Sequence, residues 1–99
     1  MTKEELLQRY AAGERDFPVA DLDGVNLSGA NLPSINLSEA RLYGANLSRA
    51  NLSGATLVLA GLAYANLTGA NLSGANLTDA DLTDADLTDA NLRGAEGLW

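Results

Sequence analysis

The sequence contains neither cysteine nor histidine among its 99 residues. Disulfide bonds, cysteine nucleophiles, zinc sites built on these residue types and Ser-His-Asp triads are therefore excluded. Long apolar runs are also missing, because the longest, residues 57–65, is far shorter than a membrane-spanning helix requires. Acidic residues stand near the N-terminus where a secretory signal would be apolar, so we expect a soluble, cytoplasmic protein with no membrane contact.

Positive charge is scarce as well, with six basic residues against 13 acidic ones and a formal net charge of −7. Direct binding of nucleic acid is therefore not expected, and a basic protein surface is a better partner. The acids concentrate near the two ends of the chain, and the densest group is formed by five aspartates: Asp79, Asp81, Asp84, Asp86 and Asp89.

This aspartate group does not have the spacing of a calcium loop, since it lacks the central glycine and the closing glutamate of an EF-hand. We therefore interpret it as a solvated acidic surface and expect no metal and no other cofactor. Paired carboxylates can perform acid–base catalysis, but only in a cleft that shifts the pKa of one of them.

Leucine recurs at every fifth residue from Leu22 to Leu92 without interruption. The residue two places before each leucine is alanine, except at Val25 and Ile35, which are also apolar. A polar residue, usually asparagine or aspartate, stands between them, and small or turn-forming residues follow the leucine. Neither a helix nor a straight strand would hold leucines at this spacing on one face.

The chain must therefore turn once in every repeat. Within each Ala-Asn-Leu unit the alternation is strand-like, with alanine and leucine inward and the polar residue outward. The two residues that follow are turn formers. Repeated turns of one hand wind the chain into a coil, and successive coils stack at about 4.8 Å through backbone hydrogen bonds.

The A-(N/D)-L-x-x pattern, which covers residues 15–96, resembles that of the pentapeptide repeat family. The resemblance implies an all-β solenoid, namely a right-handed quadrilateral β-helix with four repeats per turn and about four coils. On this geometry the five aspartates lie on the outside of the last coil. Since leucine and alanine fill the interior, no cleft is expected, and we predict that the protein is not an enzyme.

Residues 1–14 do not follow the repeat and are predicted to form a helical cap. Thr2 and Glu5 have the spacing of a capping box, and Gly13 is a suitable stop for a short helix. The remaining residues 97–99 form a C-terminal tail. The C-terminal coil has no comparable cap, which predicts a homodimer joined through that end, with Leu92, Leu98 and Trp99 at the junction.

The largest departure from the repeat lies at residues 56–65, where apolar residues occupy corner positions that face outward. With four sides per coil, Tyr43 and Tyr64 would be neighbours, around a corner from Val58 and Leu59. An exposed apolar surface of this kind marks a candidate contact site for a protein partner. Packing between neighbouring coils is the structural alternative.

Three functions remain open from the sequence. The first is a non-catalytic structural or protein-interaction module. The second is a DNA-mimicking inhibitor or modulator of DNA gyrase or another topoisomerase, a role that the family resemblance suggests by analogy of shape and charge. The third is a stacking unit of a larger repeat assembly. The identity of the partner does not follow from the sequence.

Overall fold

The computed structural model describes residues 1–98 and begins with a helix, α1, at Lys3–Ala11. Its predicted capping box is confirmed, since the Glu5 N–H donates to Thr2 Oγ1 at 3.1 Å and the Thr2 N–H donates to a Glu5 carboxylate oxygen at 3.3 Å. Leu6 is fully buried, and the Tyr10 hydroxyl donates to the Pro33 carbonyl at 2.6 Å. Helix α1 therefore covers the start of the leucine core.

The rest of the described chain is built from parallel β-bridges, each one residue long, that link residues 20 positions apart. They begin at Asp16↔Asn36 and end at Asn76↔Glu96. Because the sequence repeats every five residues, this interval places four repeats in each turn of the coil.

Backbone hydrogen bonds join each coil to the next in both directions. The Leu47 N–H donates to the Asn66 carbonyl at 2.7 Å, and the Asn66 N–H donates back to the Ala45 carbonyl at 2.9 Å. The same pattern recurs along the ladder. Each side of the coil contains only one bridge residue, but the hydrogen bonds around it pair backbone N–H and C=O groups that would otherwise be left without partners.

Each corner is a β-turn whose third residue has a positive φ. In the repeat that contains Leu62, the Ala65 N–H donates to the Leu62 carbonyl at 3.0 Å, and Tyr64 has a φ of 60°. Glycine or aspartate occupies this position in many repeats, as expected for a left-handed conformation. Outward asparagine and aspartate side chains also accept hydrogen bonds from the backbone two residues ahead, which reinforces the corners.

The interior is apolar throughout the described residues, with no buried polar or charged side chain. The leucines of the five-residue series from Leu22 to Leu77 are at most 1% exposed, and the alanines two places before them are buried from Ala40 to Ala75. The predicted inward direction of leucine and alanine is therefore confirmed. Within residues 1–98, no helix has the length and apolar character needed to cross a bilayer.

Candidate interaction surface

Two tyrosines from successive coils form a pair on the outside of the solenoid. Their ring centroids are 5.4 Å apart, with an angle of 56° between the rings. Tyr43 is 57% exposed and Tyr64 is 55% exposed, so the pair presents aromatic surface to solvent. Tilted rings at this separation attract each other, which helps to hold the pair in place.

Leu59, one corner away from Tyr64 along the chain, is 54% exposed. Both Leu59 and Tyr64 have a φ of 60°, in the left-handed region that costs an L-residue about 1–2 kcal/mol. Val58, also predicted in this surface, has an intermediate exposure. We call Tyr43, Leu59 and Tyr64 the aromatic corner.

Beside Tyr43 lies an open depression of about 440 Å³ that we call the notch; its lining consists of Asp23, Arg41, Tyr43, Gly61, Ala63 and Asp81. It forms because Gly61 stands where other repeats carry an outward polar side chain. In an intact part of the ladder, the Asn51 amide donates to the Asn31 side-chain carbonyl one coil away at 3.0 Å. At Gly61 this column of side chains is interrupted.

One wall of the notch contains an ion pair. An Arg41 guanidinium nitrogen lies 3.0 Å from Asp23 Oδ2, and the other oxygen of Asp23 accepts the Tyr43 N–H at 2.9 Å. The sequence singled out neither Asp23 nor this pairing. Arg41 is thus held by a carboxylate of its own chain, although most of its side chain is exposed.

The opposite wall contains Asp81. Its Oδ1 accepts hydrogen bonds from the Thr83 hydroxyl at 2.6 Å and from the Thr83 N–H at 3.0 Å. These bonds, the hydroxyl first, lower the pKa of Asp81 from its ordinary value of 3.8. Asp86 has the same arrangement with Thr88, and its pKa is lowered in the same way. Both side chains are therefore ionised at neutral pH.

The predicted acidic residues all lie on the outside of the last part of the coil. Asp81 and Asp86 occupy bridge positions, whereas the other three have positive φ at the corners: Asp79, Asp84 and Asp89. Nowhere in the described part of the chain do three or more acidic, histidine or cysteine side chains converge in a group suited to a metal ion. The acidic surface is thus distributed around the coil.

At the C-terminal end the core is less well covered. Leu82, Leu87 and Leu92 are only partly buried, in contrast to the leucines one coil earlier. Leu98 packs against this end of the core. Trp99, which the sequence assigned to a dimer contact with Leu92 and Leu98, lies outside the described residues.

Sequence reasoning recognised Gly61 as a departure from the repeat but did not identify the notch. The interval of 20 residues between coils could have revealed the notch, because it places Arg41, Gly61 and Asp81 in one column. Asp81 was assigned only to the acidic surface. The predicted neighbourhood of Tyr43 and Tyr64 corresponds to the observed ring pair.

Comparison with known proteins agrees with this architecture. A sequence model described as pentapeptide repeats matches residues 20–57 and 60–96 in eight copies. The crystal structure of a pentapeptide repeat protein from Nostoc PCC 7120 is 38% identical, with a TM-score of 0.89 over 96% of this chain and 86% of its own.

A pentapeptide repeat protein of the Arabidopsis thaliana thylakoid lumen is 26% identical, with a TM-score of 0.56 over 87% of this chain and 68% of its own. HetL, a pentapeptide repeat protein involved in heterocyst differentiation regulation in Nostoc sp. strain PCC 7120, is 46% identical over 81% of this chain and 39% of its own, with a TM-score of 0.45. No curated protein matches the sequence significantly. The chain belongs to the pentapeptide repeat family, whose members are known as right-handed quadrilateral β-helices.

Proposed function

We propose that this protein is a non-catalytic interaction module that binds a protein partner through the aromatic corner. The observation that carries the proposal is the pair of exposed aromatic rings formed by Tyr43 and Tyr64 on a mostly polar outer surface. Tyrosine is enriched where proteins contact one another, because it combines a large apolar ring with a polar hydroxyl.

The backbone at the aromatic corner adds to this argument. Leu59 and Tyr64 combine a left-handed backbone with an exposed hydrophobic side chain, and both features are unfavourable for the isolated fold. Glycine fills the same corner position in neighbouring repeats without either cost, as at Gly44 and Gly69. Residues that depart from a local rule without a structural benefit are candidates for function.

Affinity capture from the organism of origin tests the proposal with a matched set of variants. Leu59→Gly combined with Tyr64→Gly removes both side chains and relieves the strain at both corners, so the fold is expected to persist. Val19→Gly is the control, because Val19 is equally exposed and left-handed but lies outside the aromatic corner.

A protein retained by the wild type and by Val19→Gly, but lost by the double variant, supports the proposal. Circular dichroism and thermal unfolding of each variant establish that the fold is retained. If every captured protein binds the double variant as well as the wild type, the aromatic corner is not the contact surface.

Two finer features belong to this proposal. The bridges extend from Asp16 to Glu96, which at 20 residues per turn favours about four coils, and membership of the pentapeptide repeat family favours a right-handed β-helix. The module is also proposed to act in the cytoplasm.

A homodimer through the C-terminal coil is a second candidate, and it is favoured by the partly exposed Leu82, Leu87 and Leu92. No carbonyl in the described residues accepts the N–H groups of these leucines, so the coil presents free donors beside its apolar edge. The same edge would suit a stacking unit of a larger repeat assembly. Sedimentation equilibrium at increasing concentration tests both, and a monomer at high micromolar concentration contradicts the dimer.

DNA mimicry directed at gyrase is the remaining alternative, and the charge distribution gives it less support. The longest dimension of the molecule is 33 Å, which corresponds to about ten base pairs at 3.4 Å each. The densest acids are confined to residues 79–89 and do not line the full length. A supercoiling assay with the purified protein tests this alternative, which requires inhibition of gyrase at micromolar concentration.

A further inference from the structure

The notch differs from the rest of the outer surface in its shape, and its lining carries a net negative charge. Among its six lining residues are two carboxylates and one guanidinium. Arg41 and Asp23 are paired at 3.0 Å and largely compensate each other. Asp81 makes no ion pair within the described residues, so the notch retains one uncompensated negative charge.

The hydrogen bonds of Asp81 leave one of its oxygens free. Thr83 donates twice to Oδ1, whereas no group in the described part of the chain donates to Oδ2. The two Thr83 contacts also fix the orientation of the carboxylate, so little side-chain freedom is lost when a cation binds.

The remaining walls suit a flat cation. Gly61 and Ala63 line the notch with little side-chain bulk, and Tyr43, whose ring packs on Tyr64, lines it as well. Arg41 and Asp81 are two coil steps apart in the bridge ladder, a distance of about 10 Å. A guanidinium can enter this gap, face the Tyr43 ring and donate to a carboxylate at the edge.

We propose that the notch receives an arginine side chain of a protein partner, with the guanidinium bound to Asp81 and placed against Tyr43. This inference rests on the proposed function, because the aromatic corner and the notch share Tyr43. It adds the chemistry of the partner: a basic segment whose arginine enters the notch while neighbouring apolar groups cover Tyr64. The net charge of −7 favours the approach of such a segment.

The chain offers variants that alter the notch with little effect on the fold. Gly61→Asn restores the usual outward residue and fills the notch; a Cβ at this position has no neighbour nearer than the Ala40 carbonyl oxygen at 3.9 Å. Asp81→Asn removes the charge but retains an oxygen that accepts from Thr83. The matched control is Asp86→Asn, because Asp86 makes the same contacts with Thr88 and does not line the notch.

The probe is the blocked peptide acetyl-Gly-Arg-Gly-amide, titrated into the full 99-residue chain and followed by amide chemical shifts. The corresponding Gly-Glu-Gly peptide controls for charge and Gly-Gln-Gly for size. We expect saturable shifts at Gly61, Ala63 and Asp81 with the arginine peptide alone, at a Kd on the order of 1 mM for so small a ligand. Gly61→Asn and Asp81→Asn should each weaken binding at least about tenfold, a loss of about 1.4 kcal/mol, and Asp86→Asn should leave it unchanged.

Three results would overturn the notch as an arginine site: no saturable shift at these residues, equal shifts with the glutamate peptide, or equal losses from Asp81→Asn and Asp86→Asn. The last would indicate general attraction to the acidic coil. Capture experiments separate this outcome from failure of the proposed function. A partner that depends on Leu59 and Tyr64 but binds Gly61→Asn normally leaves the interaction module intact and removes only the arginine site.

Discussion

Leu87 lies one coil beyond Leu67 in the same column of the solenoid, where the bridge Asn66↔Asp86 joins the two coils. Leu67 is fully buried, whereas Leu87 is only partly buried. Leucine at the same position of two repeats thus has two environments, because a following coil covers Leu67 and none in the described chain covers Leu87.

The first prediction follows from this contrast. Leu67→Ala should reduce the free energy of unfolding by about 3 kcal/mol, since the closed interior cannot collapse around the cavity. Leu87→Ala should cost about half as much, because water reaches the site. Urea unfolding followed by circular dichroism measures both values at low micromolar concentration. Equal losses would mean that the C-terminal edge is covered in solution, for example by a second copy of the chain.

The second prediction concerns backbone strain at Val19, which is 65% exposed and has a φ of 61°. A β-branched residue is poorly suited to this conformation, and its exposed side chain contributes little packing. Val19→Gly should therefore raise the free energy of unfolding by about 1 kcal/mol. Val25→Gly is the control and should lower stability, since Val25 packs against the core and has no positive φ. A decrease in both variants would contradict the strain argument.

The third prediction concerns acid stability. The pKa values of Asp81 and Asp86 are lowered from 3.8 by hydrogen bonds that Thr83 and Thr88 donate in the folded chain. Each carboxylate therefore contributes stability above its unfolded pKa, and this contribution is lost as pH falls through the folded value. The double variant Asp81→Asn with Asp86→Asn should show a smaller decrease in Tm than the wild type when pH is lowered below 3.8. Replacement of Asp84 and Asp89 by asparagine provides the comparison. If Tm falls with pH in the Asp81→Asn, Asp86→Asn variant as it does in the wild type, the contacts with Thr83 and Thr88 are not the origin of the acid sensitivity.

The fourth prediction concerns the last bridge of the ladder. A Cβ at Gly97 would overlap the backbone of Thr78, and Gly97 also has a φ of 86°. Gly97→Ala should therefore detach the chain end and weaken the hydrogen bond from the Leu77 N–H to the Glu96 carbonyl, which measures 2.9 Å. Faster hydrogen exchange of the Leu77 amide is the expected result.

Gly94→Ala is the matched control for this change. Gly94 also has a positive φ, but the nearest neighbour of an added Cβ there is at 3.7 Å, an ordinary contact. It should lower overall stability by about 1 kcal/mol without selective exposure of Leu77. If both variants affect the Leu77 amide equally, the close approach to Thr78 is not what holds the chain end.

Much of the fold could be predicted because its information is local. The spacing of Thr2 and Glu5 identified the start of α1, and the five-residue interval of leucine required a turn in every repeat. The inward direction of leucine and alanine followed from strand alternation within three residues. Each of these inferences depends on residues that are close together in the chain.

The candidate site was predicted only in part, because it depends on contacts between coils. The residue types at Tyr43, Gly61 and Tyr64 marked departures from the repeat. The ion pair of Arg41 with Asp23 could not be predicted from the residues around Arg41 or around Asp23 alone. Val58, expected in the exposed surface, has an intermediate exposure, and its place in a contact surface stays a prediction.

The sequence by itself determined that the chain turns every fifth residue, that leucine and alanine face a common interior and that a capped helix precedes the repeats. The number of repeats in one turn was decided only by the tertiary structure, because local preferences allow a range of angles at each corner. That number sets the interval of 20 residues between neighbours in successive coils. It is this interval that joins Tyr43 to Tyr64 and places Asp81 at the notch, since side chains far apart in sequence meet only once the coil has closed.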